Sequence, residues 1–243
     1  MTPEATAAAA AGPIGKVGGA FMLSRTTLGK APTLGMEAWA FYFAGRCGVL
    51  GDVAPDVVAA TLVFFPIETV RERWMEARAV MEPAAAAAAY AEACQEWGRR
   101  YLSEVEDLDR LVDLLQRVVI DIDPAGAPLF AGWRSLPLVQ DTPAAAAQLL
   151  QTMREFRGAM HSIAVLAHGL TPLEAVLVSG GETNAEFFGW PTPYPDVEPA
   201  RERHQAAEKA TDRLAARAFQ SLADRERREL VDLLNAARAA LPF

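Results

Sequence analysis

The stretch "REFRGAMHSIAVLAHGLTPLEAVLVSGG", residues 154–181, decides the fold. Thr171, Pro172 and Glu174 mark a helix start in its middle. Threonine suits the N-cap, proline the first turn where a missing N–H costs little, and glutamate the third position of a capping box. His168 and Gly169 close the run before it, and Gly180 and Gly181 stop the helix after it. The spacing predicts two helices joined by a tight turn, which is the outline of a helix-turn-helix. Whether that outline still reads DNA is the question the rest of the chain must answer.

Working outward, strand signals are nearly absent and helical periodicity is punctuated by Pro and Gly, so the expected fold class is all-α. Upstream, "MEAWAFYFAGR" (36–46) is apolar on most sides and reads as a buried helix ending near Gly48 and Gly51. Pro55 and Pro66 each restart the chain, and Pro83 opens the longest helical candidate, which reads on to Val119. Residues 1–32 read as a flexible Ala/Gly-rich leader, 33–122 as an N-terminal helical region, 123–142 as a Pro/Gly-rich junction and 143–243 as a helix-turn-helix-like C-terminal region. After Gly181, "ETNAEFFGW" leaves room for only a turn and a half of helix before "PTPYPDVEP", and two final helices are expected near 198–220 and 223–240.

Composition narrows the function. The 23 Lys+Arg against 31 Asp+Glu give a formal charge of −8, so the chain gains no general attraction to nucleic acid and needs a local basic stripe to bind it. Cys47 and Cys94 match no metal or redox spacing and read as buried reduced thiols. The start lacks the pattern of a signal peptide, and the apolar run from Val57 to Ile67 is too short to span a bilayer. The expectation is a cytoplasmic protein with no membrane partner, no metal and no cofactor. Phosphate-binding, dinucleotide, zinc-hydrolase and nucleophile-elbow motifs are missing.

Four phrases, "FYFAGRCGVLGDVAPDVVAATLVFF", "GAPLFAGWRSLPL", "REFRGAMHSIAVLAHGLTPLEA" and "EKATDRLAARAFQSL", taken in their order and spacing, resemble an actinobacterial helix-turn-helix-like family that includes SalK-type proteins. The resemblance spans roughly residues 33–222. It implies an N-terminal helical bundle joined to a C-terminal half like a winged-helix regulator, with a link to specialised metabolism. The chain departs from that pattern at two places. Gly189 and Trp190 stand where a polar third helix begins in such proteins, but three prolines within five residues follow and cannot continue one. The family's E-H-R-G-D-G-H pattern reads here Glu155-Phe156-Arg157-Gly158-Ala159-Met160-His161. A degenerate winged-helix half is therefore expected.

His161 follows Arg157 by one helical turn and shares its face, a pairing suited to a general base or to an anionic ligand. His168 suits a capping role. Arg46, in an otherwise apolar helix, must snorkel or pair with a buried acid or a ligand, with Glu68 and Glu155 as candidate partners. His161, Arg46 and Glu155 are thus the candidate catalytic set. Arg46, Tyr42, Phe43, Phe65, Trp133, Arg157 and His161 are the candidate ligand-binding set, with Trp133 as a lid over a cleft. A DNA-reading helix needs several polar or basic side chains facing base edges, and only Arg154 and Asn184 offer themselves. The arginines at 71, 73 and 78 and at 225, 227 and 228 are interleaved with acids and read as solvated, salt-bridged faces. Leu230, Leu233, Leu234 and Leu241 form a stripe suited to the core or to a homodimer.

The leading functional expectation is a regulatory or accessory protein that holds a small apolar or aromatic molecule, with DNA reading weakened or lost. The alternatives are a working DNA-binding regulator and an enzyme of specialised metabolism. They differ in where Arg157 and His161 lie. In the DNA reading Asn184, Arg154 and Arg157 would be exposed on one convex surface, whereas in the enzyme reading Arg157 and His161 would face a cavity.

Overall fold

Helix-favouring alanine, punctuating proline and the lack of alternating apolar runs produce a structure without a strand among its described residues, 1–242, in a computed structural model. In chain order the α-helices are α1 (Pro3–Ala20), α2 (Arg25–Leu28), α3 (Ala38–Cys47), α4 (Pro55–Thr61), α5 (Ile67–Arg78), α6 (Pro83–Tyr101), α7 (Leu108–Asp121), α8 (Pro128–Ser135), α9 (Thr142–Ala167), α10 (Pro172–Phe188), α11 (Arg201–Ala215) and α12 (Asp224–Ala239). Proline stands in the first turn of α1, α4, α6, α8, α9 and α10, where it fixes φ and removes only an unpaired donor. The all-α expectation holds. The winged-helix part of it lacks its wing, because no hairpin forms among the described residues and Pro191, Pro193 and Pro195 stand in an irregular segment after Trp190.

The 26-residue α9 is the spine. Asp141 caps it by accepting from the Ala144 N–H at 3.2 Å, and α1, α6, α7, α8 and α11 all pack on it. Two glycines permit the closest of these approaches. A Cβ at Gly18 of α1 would lie 2.5 Å from the Leu150 carbonyl oxygen, and one at Gly98 of α6 would collide with the Pro143 carbonyl oxygen. Both contacts hold the N-terminal half of α9.

The helix-turn-helix outline is present. The axes of α9 and α10 turn through 112°, and Gly169 takes the left-handed conformation (φ 68°) that the tight turn between them requires. The capping box forms as the spacing predicts. Glu174 N–H donates to Thr171 Oγ1 at 3.2 Å, and Thr171 N–H donates to Glu174 Oε2 at 2.7 Å. Within α10 the backbone breaks at Gly181 (φ 69°), so "ETNAEFF" is a separate short turn of helix. His168 stands at the C-terminal cap of α9, with Nδ1 2.7 Å from the Ala164 carbonyl oxygen, as expected of a capping residue.

Several expectations are corrected. The flexible leader is the helix α1, whose face of Ala7, Ala10, Ile14 and Val17 is buried; small side chains bury by close approach rather than by bulk. The long helix opened by Pro83 is two helices: α6 ends at Tyr101, and a six-residue turn segment closes on Asp107, whose left-handed backbone (φ 54°) precedes α7. The 123–142 junction contains α8, and one buried cluster runs through α1, α3, α6, α7, α8, α9 and α12, so the two expected halves share a core. The leucine stripe of α12 is consumed by that core. Leu230 and Leu234 are fully buried and Leu233 and Leu241 pack on it, which is the core alternative for that stripe. Arg227 does not face solvent with its neighbours: it is buried and donates from Nε to the Met1 carbonyl at 2.7 Å and from Nη1 to the Phe219 carbonyl at 3.2 Å. The arginines of α5 are salt-bridged on the surface as expected, Arg71 to Asp56 and Glu68 and Arg73 to Glu76. Cys47 and Cys94 are buried and unpaired. Among the described residues no single helix is long and apolar enough to cross a membrane.

Candidate functional site

The second half of α9, beyond the glycine contacts, lines a cleft of about 900 Å³. Four of the cleft's positions are glycines, Gly15 and Gly19 on α1, Gly126 just before α8 and Gly158 on α9. A Cβ at Gly15 or Gly158 would meet nothing within 4 Å, so these glycines open space rather than permit contact. Ile14 and Met22 form one wall and Phe64 and Phe65 another, while Leu129 of α8 and Phe187 and Phe188 of the α10 tail also face the cleft. Leu23, Val57, Ile163, Leu166 and Phe187 line it and are exposed. That concentrates unpartnered apolar surface around one opening, a pattern that marks binding sites.

The polar end of the cleft is set by α3 and α9. Arg46 grips Glu155 with two parallel hydrogen bonds, Nε to Oε1 and Nη2 to Oε2, both 2.8 Å. Its Nη1 donates to the Tyr42 hydroxyl at 2.9 Å. Glu155 Oε1 also accepts from Gln151 Nε2 at 2.7 Å and lies 3.4 Å from Arg154 Nη1. Burial works to raise the Glu155 carboxyl, but the Arg46 guanidinium with its hydrogen bonds, then Arg154 and Gln151, hold it below its ordinary value. Burial likewise opposes the Arg46 charge, and Glu155 more than restores it. Both groups stay ionised.

Further along α9, Arg157 and His161 turn toward α11. Arg157 Nη2 lies 3.3 Å from Asp212 Oδ1 and 3.6 Å from Glu208 Oε2. His161 Nδ1 sits 3.2 Å from Thr211 Oγ1 and 3.3 Å from Glu208 Oε1, and its ring packs 5.2 Å from Phe64. Burial lowers the His161 pKa, with Arg157 and His204 acting the same way against Glu208, so the imidazole is neutral near pH 7 and can donate or accept without carrying charge.

The structure thus brings Tyr42, Arg46, Phe65, Glu155, Arg157 and His161 to one cleft. It does not bring all the expected residues there. Phe43 is buried in the core against Phe65, with ring centroids 4.9 Å apart. Trp133 is no lid: it is fully buried and donates from Nε1 to the Arg46 carbonyl at 3.0 Å, holding α8 against α3. Of the two DNA candidates, Arg154 lines the cleft instead of a convex surface. Asn184 spends its amide inside α10, on the Val176 carbonyl at 3.3 Å and Ser179 Oγ at 3.2 Å. Glu68 pairs with Arg71 rather than with Arg46. Phe64, read from the sequence among the aromatics that could line an apolar pocket, does line it, whereas Phe188 and the cleft glycines escaped sequence reasoning, since a glycine that makes space leaves no pattern.

The segment after the helix-turn-helix turn carries its own electrostatic signature. Residues 169–200 contain no Lys, Arg or His and five acids, Glu174, Glu182, Glu186, Asp196 and Glu198. Phe188 packs against Phe65 at 4.7 Å, and the exposed Phe187 lies 5.5 Å from Trp39. Trp190 Nε1 donates to the Phe64 carbonyl at 3.0 Å.

The profile of a helix-turn-helix family matches residues 7–194. The chain belongs to that family. Neither curated proteins nor solved structures give a match.

Proposed function

We propose that this member of a helix-turn-helix family is a small-molecule-binding regulatory or accessory protein, with DNA reading weakened or lost. The observation that carries the reading is the cleft. Its wall is the first helix of the helix-turn-helix, and its rim includes the tail of the second. A volume of about 900 Å³ suits a drug-sized molecule, and its lining is apolar with a few placed polar groups, the usual composition of a ligand site. A second reading, binding of DNA, draws on the family itself. Against it stands the second helix, which together with the segment after it offers five acids and no cation where a phosphate-tracking element needs positive charge. An enzymatic reading has less support, because Arg46 and Glu155 neutralise each other and leave Glu155 no proton to give. The finer assignment to actinobacterial SalK-type proteins of specialised metabolism rests on the four sequence phrases and belongs to the same proposal.

The test uses the neutral fluorophore N-phenyl-1-naphthylamine and a labelled random DNA duplex. The wild-type protein is expected to bind the fluorophore, and Gly158→Phe, which fills open space, to weaken it by about tenfold, equivalent to roughly 1.4 kcal/mol. Equal binding by both proteins overturns the cleft as the site. The duplex is expected to show no binding even at low salt, and salt-sensitive binding there would restore the DNA reading.

A further inference from the structure

The charges inside the cleft do not cancel, and the remainder has a sign. Asp56 lines the cleft but its charge is taken by Arg71, and Arg157 lies against Asp212 and Glu208. His161 is uncharged near pH 7. That leaves two guanidinium groups, Arg46 and Arg154, facing one carboxylate, Glu155. Arg46 takes both oxygens of Glu155 in a bidentate grip at 2.8 Å. Arg154 is a remote third donor to Oε1, 3.4 Å away, on an oxygen that already accepts from Arg46 and Gln151. Arg154 makes no other ion pair among the described residues. It is half-buried at the polar end of the cleft, next to its apolar walls. Gly19 makes room for it, since a Cβ at that position would stand 3.0 Å from Arg154 Nε.

A guanidinium with an unfilled fork, in a cleft whose walls are Ile14, Met22, Phe64, Phe65 and Leu129, has a complementary partner of definite chemistry. We infer that the cleft takes a small amphiphilic monoanion, an aromatic or aliphatic body bearing one carboxylate or similar group, with the anionic group seated on Arg154. This inference rests on the cleft's being a ligand site. The planar fork of arginine matches a carboxylate or sulfonate, and charge-assisted hydrogen bonds of this kind are the strong ones. The whole chain carries a formal charge of −8, so general electrostatics repels anions. Any preference for one is local to the site.

Two probes with the same ring system separate the parts of the argument: 1-anilinonaphthalene-8-sulfonate and its neutral counterpart N-phenyl-1-naphthylamine. The wild-type protein is expected to bind the anion about tenfold or more tightly than the neutral compound, the range of a hydrogen bond to a charged group. Arg154→Gln is expected to remove that preference while leaving the neutral probe's affinity unchanged. Arg154→Lys is expected to keep part of it, as a point charge without the fork. Far-UV circular dichroism checks each variant's fold, and the wild-type ratio is decisive even where a variant is unstable. No preference in the wild type, or a preference that survives Arg154→Gln, overturns the inference and leaves the small-molecule reading standing. Failure of the wild type to bind either probe overturns both. Undiminished anion binding by Gly158→Phe places the anion elsewhere and overturns the inference alone.

Discussion

Glu155→Gln removes the negative half of a buried ion pair and leaves Arg46 charged beside it. Glu155 is 2% exposed and Arg46 12%, so the stranded guanidinium keeps limited access to water through the cleft. Breaking a buried pair from one side costs about 3–5 kcal/mol, and the cleft water puts the expected loss near the lower figure. For a chain of this length each kcal/mol moves the thermal midpoint by about 2–4 °C. The expected fall is therefore roughly 6–12 °C at pH 7, followed by circular dichroism at 222 nm. Arg46→Met combined with Glu155→Met should recover most of it, since an apolar replacement of a buried pair is close to neutral. The gap also has a pH signature. The folded Glu155 carboxyl lies below its ordinary 4.5, so its contribution is complete above about pH 4.5 and fades as pH falls through the folded value. Wild type and Glu155→Gln should converge in acid. A midpoint within about 2 °C of wild type at pH 7, or a double variant less stable than the single, would refute the reasoning.

Gly98→Ala pushes a Cβ into the Pro143 carbonyl and should destabilise the fold, whereas Gly158→Ala meets open space and should stabilise α9 by about 0.5–1 kcal/mol; opposite shifts in denaturation midpoint check this. Thr171→Ala deletes the side-chain half of the α10 capping box and should cost about 1 kcal/mol, read by urea titration. Glu226, which accepts from Arg117 and from the Ala223 N–H, is held down to about 2. Its stabilisation of the α7–α12 contact is complete above its ordinary 4.5 and is lost as pH falls from there toward about 2. Glu226→Gln should thus be less stable than wild type at pH 7 and equal to it near pH 2.

The helix boundaries that proline and caps announce, at Pro55, Pro83, Pro143 and Thr171, were legible because those residues act locally. So was the need of Arg46 for a buried acid, with Glu155 among its candidates. The break between α6 and α7 was not, since no Pro or Gly marks residues 102–107. Helix α1 was missed for a related reason. A helix that buries alanine and glycine shows no stripe of large apolar residues, and the partner that makes Gly18 valuable is Leu150, far along the chain. Arg154 was weighed as a DNA contact because helical spacing gives a residue's face but not what that face meets. Trp133 followed the rule that large aromatics in irregular segments cover clefts, and its segment proved to be helix.

The placement of α1 has a consequence for biogenesis. Helical proteins fold quickly when their contacts are local, yet α1 packs on α9, α11 and α12, all of them made much later. At about 5–20 residues per second, more than 200 residues of synthesis separate α1 from α12, a wait of roughly 10–45 s. Until α9 and then α11 and α12 emerge, the ribosome-bound chain holds a weakly apolar Ala/Gly segment without its full set of partners, and small side chains make that exposure tolerable. A first helix rich in leucine would offer a sticky surface for the whole interval. The alanines that give α1 its tight fit in the finished protein also keep it inconspicuous on the way there.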